Sequence, residues 1–100
     1  MDREEGIRML RALAFHIHKK IPPRDAFERC IEDEGRGGRH RAWRRTAEVL
    51  ETEGFIPALL TAELVSPETA AVLAVIENGG DHRQMSSAIT AIADCREQEG

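Results

Sequence analysis

The sequence has no tyrosine and only four aromatic residues, which are Phe15, Phe27, Trp43 and Phe55. Residues that favour strands do not cluster into alternating runs, so no segment is predicted to form a sheet. Several stretches are instead rich in alanine, the strongest helix former. These features predict an all-α protein.

Long apolar runs and cysteine clusters are also missing. The longest apolar run, residues 70–76, is far short of the roughly 20 residues that cross a bilayer. The acidic N-terminus lacks the apolar core of a signal peptide. Cys30 and Cys95 stand alone without metal-ligand or CxxC spacing, so we expect two buried, reduced thiols on helix faces, as suits a cytoplasmic protein.

Residues that could carry catalysis or hold a metal are sparse. The glycine loop at residues 35–38 has neither the Lys-Ser/Thr spacing nor the preceding strand of a phosphate loop. His16 and His18 are two residues apart and would point to opposite sides of a helix. We therefore predict a protein that is not an enzyme and has no catalytic residue, metal or cofactor.

Charge is distributed unevenly along the chain. Residues 1–50 carry a formal charge of +3 and residues 51–100 carry −7. Such asymmetry indicates an electrostatic partner, or self-association between unlike faces. Glu32, Asp33 and Glu34 lack EF-hand spacing and are interpreted as solubility charge, with weak cation binding as the alternative.

Apolar spacing and boundary residues predict six helices with short connections. The clearest boundaries are Pro22-Pro23, the glycine loop, Gly54 and Ser66-Pro67. The predicted helices are Arg3–Lys19, Pro23–Glu34, Arg39–Glu53, Pro57–Ala62, Pro67–Asn78 and Asp81–Glu97. We expect residues 1–100 to form one domain, a compact antiparallel bundle of about six helices.

The fifth predicted helix is apolar almost all round, from Ala70 to Ile76. A helix without a polar face belongs in the middle of a bundle. We therefore expect residues 67–78 to form a dry central rod around which the other helices pack.

A basic cluster around the third predicted helix is the sharpest charged feature. It is interpreted first as a solvated helix face with internal pairs such as Arg44–Glu48, and the functional alternative is a contact with a protein partner or with anionic lipid headgroups. Nucleic acid is not expected, because the acidic second half would repel its phosphate backbone. The candidate partner-binding residues are Arg36, Arg39, Arg41, Arg44 and Arg45.

Near the C-terminus, an apolar helix runs into a Gly-Gly turn and a second helix with one apolar face. This pattern resembles the C-terminal hairpin of the F domain of inner-membrane platform proteins in type II secretion and type IV pilus machines. Gly79, Met85 and Ile89 match family positions. Gly80 replaces a usual Glu, and Arg83 replaces the second Gly of the family pattern.

The resemblance continues upstream and covers about residues 7–97. Ile21-Pro22-Pro23 and Ala26-Phe27 are similar to the opening segment of the family, with Lys20 in place of its turn glycine. Residues 54–60 are similar to its middle segment.

The resemblance implies a non-enzymatic interaction module at the cytoplasmic face of the inner membrane. Such a module self-associates and contacts an assembly ATPase and pilin-like subunits. Platform proteins carry two F domains separated by transmembrane helices, so a fragment and a free-standing relative are both open. The alternatives are a standalone helical adaptor or regulatory domain and, ranked lower, a nucleic-acid-binding domain. A homodimer and an anionic membrane surface are further candidate partners.

Overall fold

A computed structural model describes residues 2–99, and these residues contain six helices and no strand. The helices are α1 (Arg3–His18), α2 (Pro23–Arg36), α3 (His40–Thr52), α4 (Phe55–Thr61), α5 (Pro67–Gly79) and α6 (His82–Glu99). The all-α fold with about six helices is confirmed, and each helix end lies within two residues of its predicted position. No helix in the described part of the chain is both long and apolar enough to cross a membrane.

The six helices form a closed ring. Each helix packs against the next one along the chain, and α6 returns to pack antiparallel along α1 in the most extensive contact of the fold. At one end of this pair, the Arg3 guanidinium donates to the carbonyls of Arg96 at 2.9 Å and Glu97 at 2.6 Å. Arg11 lies 3.0 Å from Asp94 further along the pair. The first and last helices therefore close the bundle.

The core is formed by single apolar stripes from each helix. Phe27, Trp43 and Phe55 pack edge to face, with ring centroids 6.5 Å apart for Phe27 and Trp43 and 6.0 Å apart for Phe27 and Phe55. This geometry places the positive edge of one ring against the negative face of another. The largest fully buried side chains are Phe27, Met9, Leu10, Leu13, Ile17, Leu59, Leu64, Leu73, Met85 and Ile89.

The prediction that residues 67–78 form a buried central rod is wrong. On α5 only Ala70 and Leu73 are buried, whereas Val72 is 57% exposed and Val75 is 73% exposed. The ring of helices explains this placement, because α5 packs on α4 and α6 with one side and turns its other side to solvent. An apolar composition on all sides of a helix gives no periodicity that would identify the inward side.

Side chains cap the first turns of α5 and α6. One carboxylate oxygen of Asp81 accepts the backbone N–H groups of Arg83 at 3.0 Å and Gln84 at 3.1 Å at the start of α6. The Ser66 hydroxyl accepts the N–H of Thr69 at 3.2 Å at the start of α5. Both contacts satisfy donors that have no partner within their helix.

Gly80 and Lys20 occupy left-handed positions in turns between helices. Gly80 ends α5 with a φ of 73°, and Gly79 remains helical. Lys20, between α1 and α2, has the same φ of 73° although it carries a Cβ. The position that the family resemblance assigns to a turn glycine is thus left-handed in this fold. A side chain is disfavoured in this conformation.

The two cysteines lie in different environments. Cys30 is buried and Cys95 is exposed, and both are free thiols. The expectation that both are buried is wrong for Cys95. It is two residues from the buried Ala93 on α6 and therefore points to the opposite side of the helix. Burial raises the pKa of the Cys30 thiol to about 12, so this thiol stays protonated near neutral pH.

Candidate functional site

The outer side of α3 carries three of the predicted binding arginines. Arg41, Arg44 and Arg45 are all exposed, together with Glu48, while Trp43 on the inner side is buried in the core. Within residues 2–99 these arginines form no salt bridge, so the Arg44–Glu48 pair considered from the sequence is not formed. We call Arg41, Arg44 and Arg45 the arginine face.

The other two predicted arginines are exposed but pair with carboxylates of the same chain. Arg36 pairs with Asp33 at 2.7 Å, and Arg39 pairs with Glu34. Glu34 also accepts from Arg8 at 2.9 Å, so it joins α1, α2 and the residue before α3. The interpretation of Glu34 as solubility charge is wrong, because its side chain is buried and ion-paired. Arg36 nevertheless lines the same open cavity between α2 and α3 as Arg44.

The ionisation of Glu34 reflects this contact. Burial opposes its charged form, but hydrogen bonds from Arg39 and Arg8 outweigh burial and hold the pKa of Glu34 below the ordinary value of 4.5. Glu34 is therefore an ionised structural residue near neutral pH.

The exposed side of α5 is an apolar surface. It consists of Ala71, Val72, Ala74 and Val75, which we call the α5 face. Leu73 fixes this orientation, because its buried side chain holds the opposite side of α5 against the core. Within residues 2–99 no other helix covers the α5 face.

The segment of the chain that contains α5 carries charge of one sign. Residues 46–82 contain seven carboxylates and no lysine or arginine. Of these acids, Glu63, Glu68, Glu77 and Asp81 are exposed before, along or after α5. The lack of basic residues over this stretch was visible in the sequence, but it identifies a surface only when the outward side of α5 is known.

An apolar groove of about 320 Å³ lies at the C-terminal end of α5. It adjoins the α5 face, because Ile76 in its wall lies one turn after Val72 on the same side of the helix. Glu77 brings a carboxylate to the groove, and burial there raises the pKa of this carboxyl. The residues that line the groove are Lys20, Ile21, Pro22, Pro23, Ile76, Glu77, Gly80, Asp81, His82 and Met85.

Comparisons with known proteins give no match: no family model fits the chain, and no curated protein or solved structure resembles it. Among residues 2–99, no group of three His, Cys, Asp or Glu side chains is arranged to hold a metal ion. The exposed surfaces of α3 and α5 are therefore the features from which a function can be inferred.

Proposed function

We propose that this protein is a non-enzymatic interaction module whose α5 face receives a helix from a partner protein. The observation that carries the proposal is the exposure of Val72 and Val75 on a helix whose outward side is mostly apolar. Single exposed apolar residues are common on protein surfaces. Successive apolar positions on one exposed helix face are instead typical of a binding surface.

The small size of the neighbouring side chains supports a helical partner. Ala71 and Gly79 lie one turn before and one turn after Val75. A helix packs by inserting its ridges into the grooves of another, and small side chains allow the two axes to approach closely. A partner helix with an apolar stripe fits this surface.

The resemblance to the platform-protein F domain supplies a setting for the proposal. In that setting the module lies at the cytoplasmic face of the inner membrane and contacts an assembly ATPase and pilin-like subunits. The positive φ of Lys20, where the family has a turn glycine, supports the kinship. A standalone adaptor would use the same α5 face with a different partner.

The arginine face of α3 provides a second contact in the proposal, with an anionic membrane surface. Three exposed cations attract acidic headgroups by about 1 kcal/mol each near the surface. The triple substitution of Arg41, Arg44 and Arg45 by Glu should abolish sedimentation with phosphatidylserine vesicles. Unchanged sedimentation of the triple variant would remove this face from the proposal.

The α5 face is tested with a synthetic peptide of about 18 residues, enough for five helical turns, with a leucine stripe and glutamine elsewhere. We expect its addition to the full chain to shift the backbone amide resonances of residues 68–79 in a saturable manner. Val75→Asp should abolish these shifts, because binding would then bury an unpaired carboxylate.

Ala91→Asp is the matched control, since it places the same charge on the exposed side of α6. It should leave peptide binding unchanged, and circular dichroism should show native helix content for both variants. Shifts that are spread over the whole chain, or that persist in Val75→Asp, would contradict the proposal.

A further inference from the structure

The groove at the end of α5 specifies the chemistry of the partner. We infer that the partner helix is basic and inserts one lysine or arginine side chain into this groove, with its cation at the Glu77 carboxylate. The inference rests on the proposed function, because the groove is a continuation of the α5 face. It adds the charge of the partner and the residue type that anchors it.

The walls of the groove suit a long side chain with an apolar stem. Pro22 and Pro23 form one side, and Ile76 and Met85 contribute apolar surface on the other helices. The volume of about 320 Å³ lies at the lower end of the range of ligand sites. Lysine and arginine bury their methylene stems against such surfaces and keep the charged head at a polar rim.

Among the described residues, no cation is paired with the Glu77 carboxylate at the polar end of the groove. Within residues 2–99 the Glu77 carboxylate forms no salt bridge and accepts no hydrogen bond. Lys20 and His82 also line the groove, but neither pairs with Glu77. Asp81 already accepts two backbone N–H groups. Glu77 is therefore the carboxylate that is free to receive a cation from outside.

Glu77 is exposed at the rim, and its partial burial in the groove raises its pKa, as an apolar environment without a compensating positive charge does. A lysine or arginine head placed beside it would form a charge-assisted hydrogen bond and favour the ionised form again. The groove therefore gains more from a cationic side chain than from a neutral one of the same length.

Charge complementarity also favours one of the possible partners of the α5 face over the others. A second copy of this chain would bring another α5 from a segment without lysine or arginine, and like charges would face each other. An anionic membrane would be repelled by the same carboxylates. A basic helix with an apolar stripe is complementary both to the α5 face and to the carboxylates near it.

Three peptides on the leucine scaffold test the inference with the full chain. They differ only at the positions flanking the leucine stripe, which carry lysine, glutamine or glutamate. We expect the lysine peptide to bind about tenfold more tightly than the glutamine peptide, and the glutamate peptide to bind least, because an added charge-assisted hydrogen bond contributes about that factor. Binding of the lysine peptide should also shift the Met85 methyl resonance and leave the Met9 methyl unchanged.

Glu77→Gln should remove most of the advantage of the lysine peptide. Glu51→Gln, which deletes the same charge on α3, should retain it. If the lysine and glutamine peptides bind the α5 face equally, or if Glu77→Gln keeps the full advantage, the inference is overturned while the proposed function stands.

Failure of every peptide to bind the α5 face would remove the proposed function and the inference with it. Sedimentation of the chain without any peptide tests whether a second copy of the chain covers the α5 face. A dimer that Val75→Asp dissociates would show that another copy covers the α5 face, and would also overturn the inference.

Discussion

The guanidinium of Arg8 on α1 lies 2.9 Å from the buried carboxylate of Glu34 on α2. Arg39, directly before α3, contacts the same carboxylate. The side chains of the two arginines remain about half exposed, at 52% and 43%, whereas that of Glu34 is 9% exposed. Glu34 is therefore the residue on which this junction between three helices depends.

Replacing Glu34 by Gln should lower the free energy of unfolding by about 1–3 kcal/mol, because the hydrogen bonds lose their ionic character and a buried group loses partners. Urea unfolding followed by circular dichroism measures this change. Glu32→Gln is the matched control, since Glu32 is exposed two residues away, and it should change stability by less than about 0.5 kcal/mol. Equal effects of the two substitutions would contradict the structural role of Glu34.

The lowered pKa of Glu34 predicts that the stability of the protein depends on pH. The folded-state pKa of Glu34 is lowered from 4.5 because hydrogen bonds from Arg39 and Arg8 outweigh the effect of burial. A lowered pKa stabilises the folded state above the unfolded value, and this contribution is lost as the pH falls through the folded value. Wild type should therefore lose more stability than Glu34→Gln between about pH 6 and pH 3. Parallel pH profiles would exclude this contribution.

Lys20→Gly should stabilise the protein by up to about 1 kcal/mol, because glycine adopts a positive φ without the steric cost of a Cβ. The control is Lys20→Ala, which removes the charge and keeps the Cβ. Thermal unfolding should show a higher midpoint for the glycine variant only. A higher midpoint for both variants would assign the effect to charge instead of backbone conformation.

The two thiols should react at very different rates. Cys95 is exposed, whereas burial raises the pKa of Cys30 to about 12 and removes the reactive thiolate. A thiol reagent should therefore label one cysteine in the native protein and two after denaturation. Cys95→Ser should abolish native labelling. Rapid labelling of Cys30 in that variant would contradict its burial.

Alanine substitutions at Leu73 and Val75 test which side of α5 faces the core. Leu73→Ala should cost about 2–5 kcal/mol, because it opens a cavity in the core. Val75→Ala should change stability by less than about 0.5 kcal/mol, since the lost side chain is exposed and alanine favours the helix. Denaturant unfolding of both variants measures the difference. Similar large losses for the two would indicate that α5 is buried on both sides.

The helix boundaries could be predicted from the sequence because their causes are local. Ser66 and Asp81 cap the helices that follow them, and Gly54 has the positive φ of 113° expected where a helix stops. Each of these signals acts within a few residues of its own position. The exposure of Arg41, Arg44 and Arg45 was also predictable, because they share one side of α3 opposite Trp43.

The α5 face and the Glu34 contact could not be predicted, because their causes are distant in the chain. Glu34 differs from Glu32 through its contacts with Arg39 and with Arg8, and Arg8 is 26 residues away. Which side of α5 faces solvent depends on where α4 and α6 lie. Because α5 has apolar residues on every side, its sequence does not indicate which side that is. The groove likewise combines the turn before α2 with the ends of α5 and α6.

The pairing of α1 with α6 has a consequence for synthesis on the ribosome. Of the six helices, the first to be synthesised buries Leu10, Leu13 and Ile17, and its most extensive neighbour is the sixth. Until α6 is released, the nascent chain exposes an apolar stripe that other proteins can bind. A stop codon near residue 80 would leave this stripe permanently uncovered, and we expect such a product to be degraded or bound by chaperones.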